Sequence, residues 1–205
     1  MSHNFKMQIP NYKQTSNVTC GSSCLMMVGN YFHPNRFPLN RTKEEEIHEE
    51  VKFWRGDKWG ELEDIGKVAF YALESGFEVT FFIDFDEDNF ERPPEVPIEV
   101  WKKYTNIFFK TFSIAKKKGM KVVEKTSVDI ITQEVSEERP VICEISYESQ
   151  ANHFIVIRGR IDNTFYTIDP LASNQYRKIH CNNLERMIDL GYGSNFLSFK
   201  PKVNN

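Results

Sequence analysis

The 205-residue sequence is short of several features, and each shortage removes a class of protein. There is no secretory signal, because Met1-Ser2-His3-Asn4-Phe5-Lys6 contains no apolar core, and no stretch reaches the ~18 apolar residues of a membrane span. A cytoplasmic protein without a membrane span is expected. An excess of positive charge is also missing: 26 basic residues face 29 acidic ones, for a net charge of −3, so no nucleic-acid partner is expected. The run Lys116-Lys117-Lys118 reads as a solvated helix end. Cysteine is scarce, at four residues, with no paired C-x-x-C motif for zinc and too few for a disulfide framework. Gly-rich phosphate loops, internal repeats and low-complexity tracts are absent. What remains is four free thiols, to be divided between core and catalyst.

What is present suits a globular protein: 40% of residues are hydrophobic and 17 are Phe. The length fits one domain spanning 1–205, or two closely packed lobes sharing a cleft. Residues 1–19 read as polar and irregular. Thr19 then caps a helix whose apolar positions are Cys20, Cys24, Met27, Val28 and Tyr31, and His33-Pro34 ends it. Thr42 to Lys52 reads as an exposed amphipathic helix with a solvated acidic face. Gly60 to Glu74 gives a third helix, Phe77 to Phe81 a strand and Trp101 to Lys118 a fourth helix, followed by an extended segment at Met120–Val123. Ser127 to Glu138 is the last clear helix. Strands follow at Val141–Ile145, at His153–Arg158, at Phe165–Asp169 after a turn at Asp162-Asn163, and near Phe196–Phe199. Helices fill about 14–118 and strands about 120–200, which predicts an α+β fold with two lobes.

The chemistry starts at "KQTSNVTCGSSCLMM", Lys13 to Met27. A helix N-terminus favours a thiolate through its unsatisfied N–H groups and partial positive charge, and Cys20 occupies that position. Cys24 lies a turn inside, on the apolar face, and reads as core. Cys143 belongs to a core strand and Cys181 to a polar loop. Gln14 precedes Cys20 by six residues, the separation at which papain-type enzymes hold an oxyanion-hole glutamine. Of the five histidines, His3 is terminal, His33 precedes a proline, His48 lies on a charged helix and His180 sits in a polar loop. His153 opens an apolar strand, so its ring should emerge at a strand end. Counting back across the Asp162-Asn163 turn brings Asp169 close to it, where a carboxylate can orient an imidazole.

Taken in order, Gln14 with "CGSSCLMM", then "AFYALESGFEV", "RPVICEIS", "NHFIVIRG" and "TIDP" resemble the C39-like cysteine peptidases of the papain-like superfamily. The resemblance implies a papain-like fold, with a helical N-terminal lobe packed on an antiparallel β-sheet lobe. It also implies Gln14 as oxyanion-hole donor, Cys20 as nucleophile, His153 as general base and acid, and Asp169 as orienting residue. The chain departs from the family in two places. Thr19 stands where members commonly carry an acid, and the section Phe82 to Lys118 is long.

The expected activity is cleavage of a peptide or other amide bond through a Cys20 thioester, with no metal or organic cofactor. An acyltransferase or amide-forming enzyme would use the same triad with an amine acceptor, and a non-catalytic binding module would keep only the fold. A stand-alone enzyme is expected rather than a transporter's leader peptidase. The substrate is a peptide or small amide or thioester. The 84–118 section is a candidate site for a protein partner, and the Pro-rich stretch from Asp84 to Pro97 reads as a surface excursion. Its acids Asp84, Asp86, Asp88 and Glu95 match positions of a calcium loop, but Asn89 replaces the required glycine and prolines follow.

Overall fold

The computed structural model describes residues 5–53, 61–84, 92, 96–146, 153–172, 176–189 and 194–202. Its elements run β1 (Phe5–Lys6), α1 (Cys20–Phe32), α2 (Arg41–Val51), α3 (Ile65–Glu74), β2 (Phe77–Asp84), α4 (Ile98–Lys117), β3 (Lys121–Val123), α5 (Val128–Ser136), β4 (Val141–Ile145), β5 (His153–Ile161), β6 (Thr164–Ile168), β7 (Tyr176–His180), α6 (Cys181–Asp189) and β8 (Ser194–Pro201). The strands form one sheet in the order β3-β2-β8-β4-β5-β6-β7. β1 pairs with β5 at Lys6 and Gly159, beyond the reach of β4, which stops opposite Ile157. Gly159 is needed there, because a Cβ would meet the Phe5 carbonyl oxygen at 2.2 Å.

Side-chain caps set the starts of α2, α3 and α5. Asn40, Asp64 and Ser127 accept the backbone N–H of Lys43, Lys67 and Ile130 at 2.9, 2.7 and 3.2 Å. Asp64 is why α3 begins at Ile65 rather than at Gly60, which lies outside the described residues. At the other end of α1, the backbone N–H of His33 closes the last turn on Gly29.

α1 is the centre of the helical part. Ten consecutive residues, Cys20 to Gly29, are buried, because the helix packs on β5 and β4 on one side and on α2 and α3 on the other. Each fully buried side chain such as Leu25 or Met26 contributes on the order of 1.5–3 kcal/mol of transfer free energy.

Five elements differ from the expectations. β2 comes from the helix-rich half yet pairs along its whole length with β8, so the two parts share one sheet, and β2 pairs with β3 in parallel. β7 and α6 replace the polar loop expected around His180 and Cys181. β7 is an edge strand with mostly exposed side chains, so its sequence does not alternate, and α6 buries Leu184 and Ile188 one turn apart. β1 is two residues long, too short to show a period. Finally, the charge on α2 is not all solvated: Glu44 is fully buried and His48 nearly so.

Much of the Asp84–Pro97 excursion, including Asp86, Asp88 and Glu95, lies outside the described residues. Among the described residues no helix is long and apolar enough to cross a membrane.

Candidate active site

The first turn of α1 contains Ser22 and Ser23, both fully buried, and a buried hydroxyl must find an acceptor. Each serine donates to a different glutamate. Ser23 Oγ reaches Glu44 Oε1 at 3.1 Å, and Ser22 Oγ donates to Glu63 Oε1. Glu44 also accepts from Tyr12 Oη at 3.0 Å, from Thr15 N and Oγ1 at 2.8 Å each, and from Thr19 Oγ1. One carboxylate thus ties the 12–19 loop to α1 and α2. Thr19 is the N-cap residue by position, but its hydroxyl serves Glu44 and the Ser16 carbonyl and makes no cap hydrogen bond.

Glu63 supplies the cap instead. It accepts the Gly21 N–H at 2.5 Å and the Ser22 N–H at 3.1 Å. Gly21 must be glycine for this approach, since a Cβ would lie 2.9 Å from Glu63 Oε2 and 3.2 Å from the Phe154 ring.

The sheet contributes the other half. His153 opens β5 and is buried, and Asp169 directly follows β6. The ladder pairs Val156 with Ile168 and Ile157 with Thr167, and a register shift between Ile157 and Gly159 absorbs the residue that counting across the turn leaves open. His153 Nε2 lies 2.8 Å from Asp169 Oδ1, which also accepts the Leu171 N–H at 3.0 Å. Burial alone would push the Asp169 carboxyl up, but the His153 hydrogen bond and charge, the Leu171 N–H and Arg177 outweigh it, and the net shift is downward. Asp169 is therefore a carboxylate at neutral pH.

Cys20 and Cys24 meet the same residue of β5. The Phe154 N–H favours the Cys20 thiolate, and the Phe154 carbonyl accepts the Cys24 thiol at 3.4 Å. Cys20 therefore stands at the end of β5 that His153 opens. Its thiol is not activated at rest, contrary to the expectation from its helix position. Burial first and then the Glu63 charge push it up to about 12, against the opposing pull of the Phe154, Gly21 and Cys20 N–H groups. Cys24 and Cys143 are fully buried, and desolvation pushes both thiols up. Cys181 begins α6 and is partly exposed.

Gln14 is buried, and its backbone N–H donates to the Pro170 carbonyl at 3.0 Å, next to Asp169. Its side-chain Nε2 donates to the Ser16 carbonyl at 2.6 Å, which occupies one of two amide hydrogens. Gln14, Cys20, His153 and Asp169 are thus brought to one end of the sheet. Glu44, Glu63 and His48 are the residues that reading the sequence missed. The two serines between Cys20 and Cys24, on an otherwise apolar helix, are the signal that would have pointed to buried acceptors. A concavity of about 510 Å³ beside His33, Arg36 and Lys202 opens at the opposite end of α1 and takes no part in this site. Among the described residues no cluster of His, Cys, Asp and Glu is arranged to hold a metal ion.

The sequence profile of the Peptidase_C39 like family matches residues 6–189. The chain belongs to the Peptidase_C39 like family. Solved structures agree on the fold. A double glycine motif protease from an AMS/PCAT transporter, solved with its leader peptide, is 17% identical, with a TM-score of 0.53 over 96% of this chain and 94% of its own. The peptidase domain of Streptococcus ComA, described as a bi-functional ABC transporter involved in quorum sensing, is 14% identical, with a TM-score of 0.53 over 95% and 100%. A C39-like peptidase from Bacillus anthracis is 14% identical, with a TM-score of 0.53 over 98% of each chain. Comparison with curated proteins finds no match. As a C39-like chain, the protein has the α+β architecture expected of it, with a helical N-terminal part packed on a mainly antiparallel sheet.

Proposed function

We propose that this C39-like chain is a cysteine peptidase that hydrolyses a peptide bond through a thioester on Cys20. The observation that carries the reading is the 2.8 Å contact between His153 Nε2 and Asp169 Oδ1, at the end of β5 where Cys20 packs. Asp169 fixes the tautomer with hydrogen on Nε2, so Nδ1 is the basic nitrogen for the sulfur. Because the resting thiol is neutral, Nδ1 takes its proton as the sulfur attacks the scissile carbonyl carbon. The second amide hydrogen of Gln14 Nε2 and a backbone N–H of the first turn of α1 receive the oxyanion. Collapse of the tetrahedral intermediate expels the amine, which takes the proton from His153. Water, deprotonated by the same nitrogen, then releases the acid and restores the thiol.

The proposed substrate is a peptide, as in the transporter protease solved with its leader peptide. The test is mass spectrometry of the full chain incubated with a peptide library, with and without an added primary amine. Expected are new peptide C-termini bearing a free carboxylate and a transient acyl adduct on Cys20. Amide products in place of carboxylates would assign an acyltransferase, and no adduct or cleavage would leave a binding module.

A further inference from the structure

The cap on the nucleophile's helix comes from 42 residues away and carries a full negative charge. Glu63 takes the Gly21 and Ser22 N–H groups, two of the amides that a helix N-terminus otherwise turns toward an anion. A thiolate on Cys20 competes for the same field and is repelled by the carboxylate. The Glu63 side chain is 1% exposed, so water screens that repulsion little.

Behind Glu63 stands His48, held between two carboxylates. Its Nδ1 lies 3.0 Å from Glu63 Oε1 and its Nε2 3.3 Å from Glu61 Oε2. The other charged groups nearby have their own partners. Lys52, just past the end of the same helix, is 2.6 Å from Glu49 and 3.0 Å from Glu61. Glu44, one turn back on α2, serves Tyr12, Thr15, Thr19 and Ser23. Asp64, beside Glu63, caps α3 at Lys67, and Asp169 on the sheet side pairs with His153. His48 is therefore the cation placed to offset Glu63.

We infer that Glu63 and His48 are positioning residues that set the readiness of Cys20: Glu63 fixes the first turn of α1 and disfavours the thiolate, and a protonated His48 relieves that penalty. The inference rests on Cys20 being the nucleophile. Burial alone would push His48 down, but Glu63 and Glu61 outweigh it and its titration moves up from 6.5. Below that titration the imidazolium balances Glu63. As pH rises through it, Glu63 is left unbalanced and the thiol becomes harder to ionise. The two titrations oppose each other, so thiol reactivity should climb with pH less steeply than a single ionisation allows.

The test is the pH profile of iodoacetamide alkylation, with the labelled cysteine identified by peptide mapping, in wild type, Glu63→Gln, His48→Gln and the double variant. Glu63→Gln should move the profile to lower pH and steepen it. At pH 7 the rate should rise at least about threefold, which is what a one-unit fall in thiol pKa leaves after the lower nucleophilicity is discounted. His48→Gln should slow alkylation near neutrality by a similar factor, and should do nothing further once Glu63 is Gln. A structural cap alone would give lost stability without a shift to lower pH. Unchanged or slower alkylation in a folded Glu63→Gln overturns the inference. If that variant does not fold, wild-type behaviour of His48→Gln overturns it. Labelling that avoids Cys20 altogether in wild type sinks the nucleophile assignment itself, and the inference with it.

Discussion

Cys24 donates its thiol hydrogen to the Phe154 carbonyl at 3.4 Å, while the Phe154 N–H serves Cys20, so two thiols one helical turn apart share the two backbone polar groups of one residue. The N–H side lies at the helix start, and the carbonyl side lies in the core.

Replacing each cysteine by alanine should separate those roles. Cys20→Ala should remove all turnover and keep the thermal midpoint close to wild type. Cys24→Ala should keep most turnover and lose about 1–2 kcal/mol, from a small cavity and an unpartnered Phe154 carbonyl. Turnover and thermal melts on both variants check this. An active Cys20→Ala, or a folded and dead Cys24→Ala, would reverse the assignment.

Gln14→Ala should lower kcat by about 10²–10³-fold, the usual cost of losing one oxyanion donor. Stability should change little. The Ser16 carbonyl keeps the Thr19 N–H and hydroxyl as donors at 3.4 and 3.0 Å, and the Gln14 backbone bond to Pro170 does not need the side chain. Alkylation of Cys20 should proceed normally, because under the proposed reading the amide serves the transition state.

Glu44→Ala takes the acceptor from five donor groups, of which the Thr19 and Ser23 hydroxyls lie in the interior. Destabilisation of at least ~3 kcal/mol is expected, or roughly 6–12 °C in the melting midpoint for a chain of this length. Calorimetry of the variant measures it, and a shift under 2 °C would mean that water replaces the carboxylate.

Asp64 gives a pH signature of its own. It is fully buried, its Oδ2 has no hydrogen-bond partner among the described residues, and desolvation raises it from 3.8 to about 7 against the pull of the Lys67 N–H and charge. The folded state therefore holds a proton that the unfolded chain releases. Its contribution to stability is complete below pH 3.8 and is lost as pH rises through about 7. Asp64→Asn should flatten the decline of stability over that interval, by up to ~4 kcal/mol for a shift of three units. Denaturant titrations at pH 4, 5.5 and 7 compare the slopes, and parallel slopes would show that Asp64 does not titrate there.

The parts of this fold that were legible in the sequence are those with a period. α1 shows its apolar face, β4 and β5 are apolar runs, and the Asp162-Asn163 turn fixes the hairpin closely enough to bring His153 and Asp169 together. The destination of a charge carries no such period. Glu44 and His48 share a helix with exposed Glu45 and Glu46, and nothing local distinguishes the acid that points inward from its neighbours. Glu63 caps a helix 42 residues away, a relationship set by tertiary packing alone. β7 escaped notice because an edge strand needs no alternation, and β1 because two residues cannot show one.

The hydrogen bond from the Gln14 amide to the Pro170 carbonyl joins residues 156 positions apart, and it dates the site during synthesis. On a ribosome the Cys20 thiol emerges early, while His153 and Asp169 have yet to be translated. At about 5–20 residues per second the thiol waits on the order of ten seconds for its imidazole. Under the proposed reading the nascent enzyme cannot cut itself or its surroundings in that time, and a translation product that stops before residue 169 stays inert.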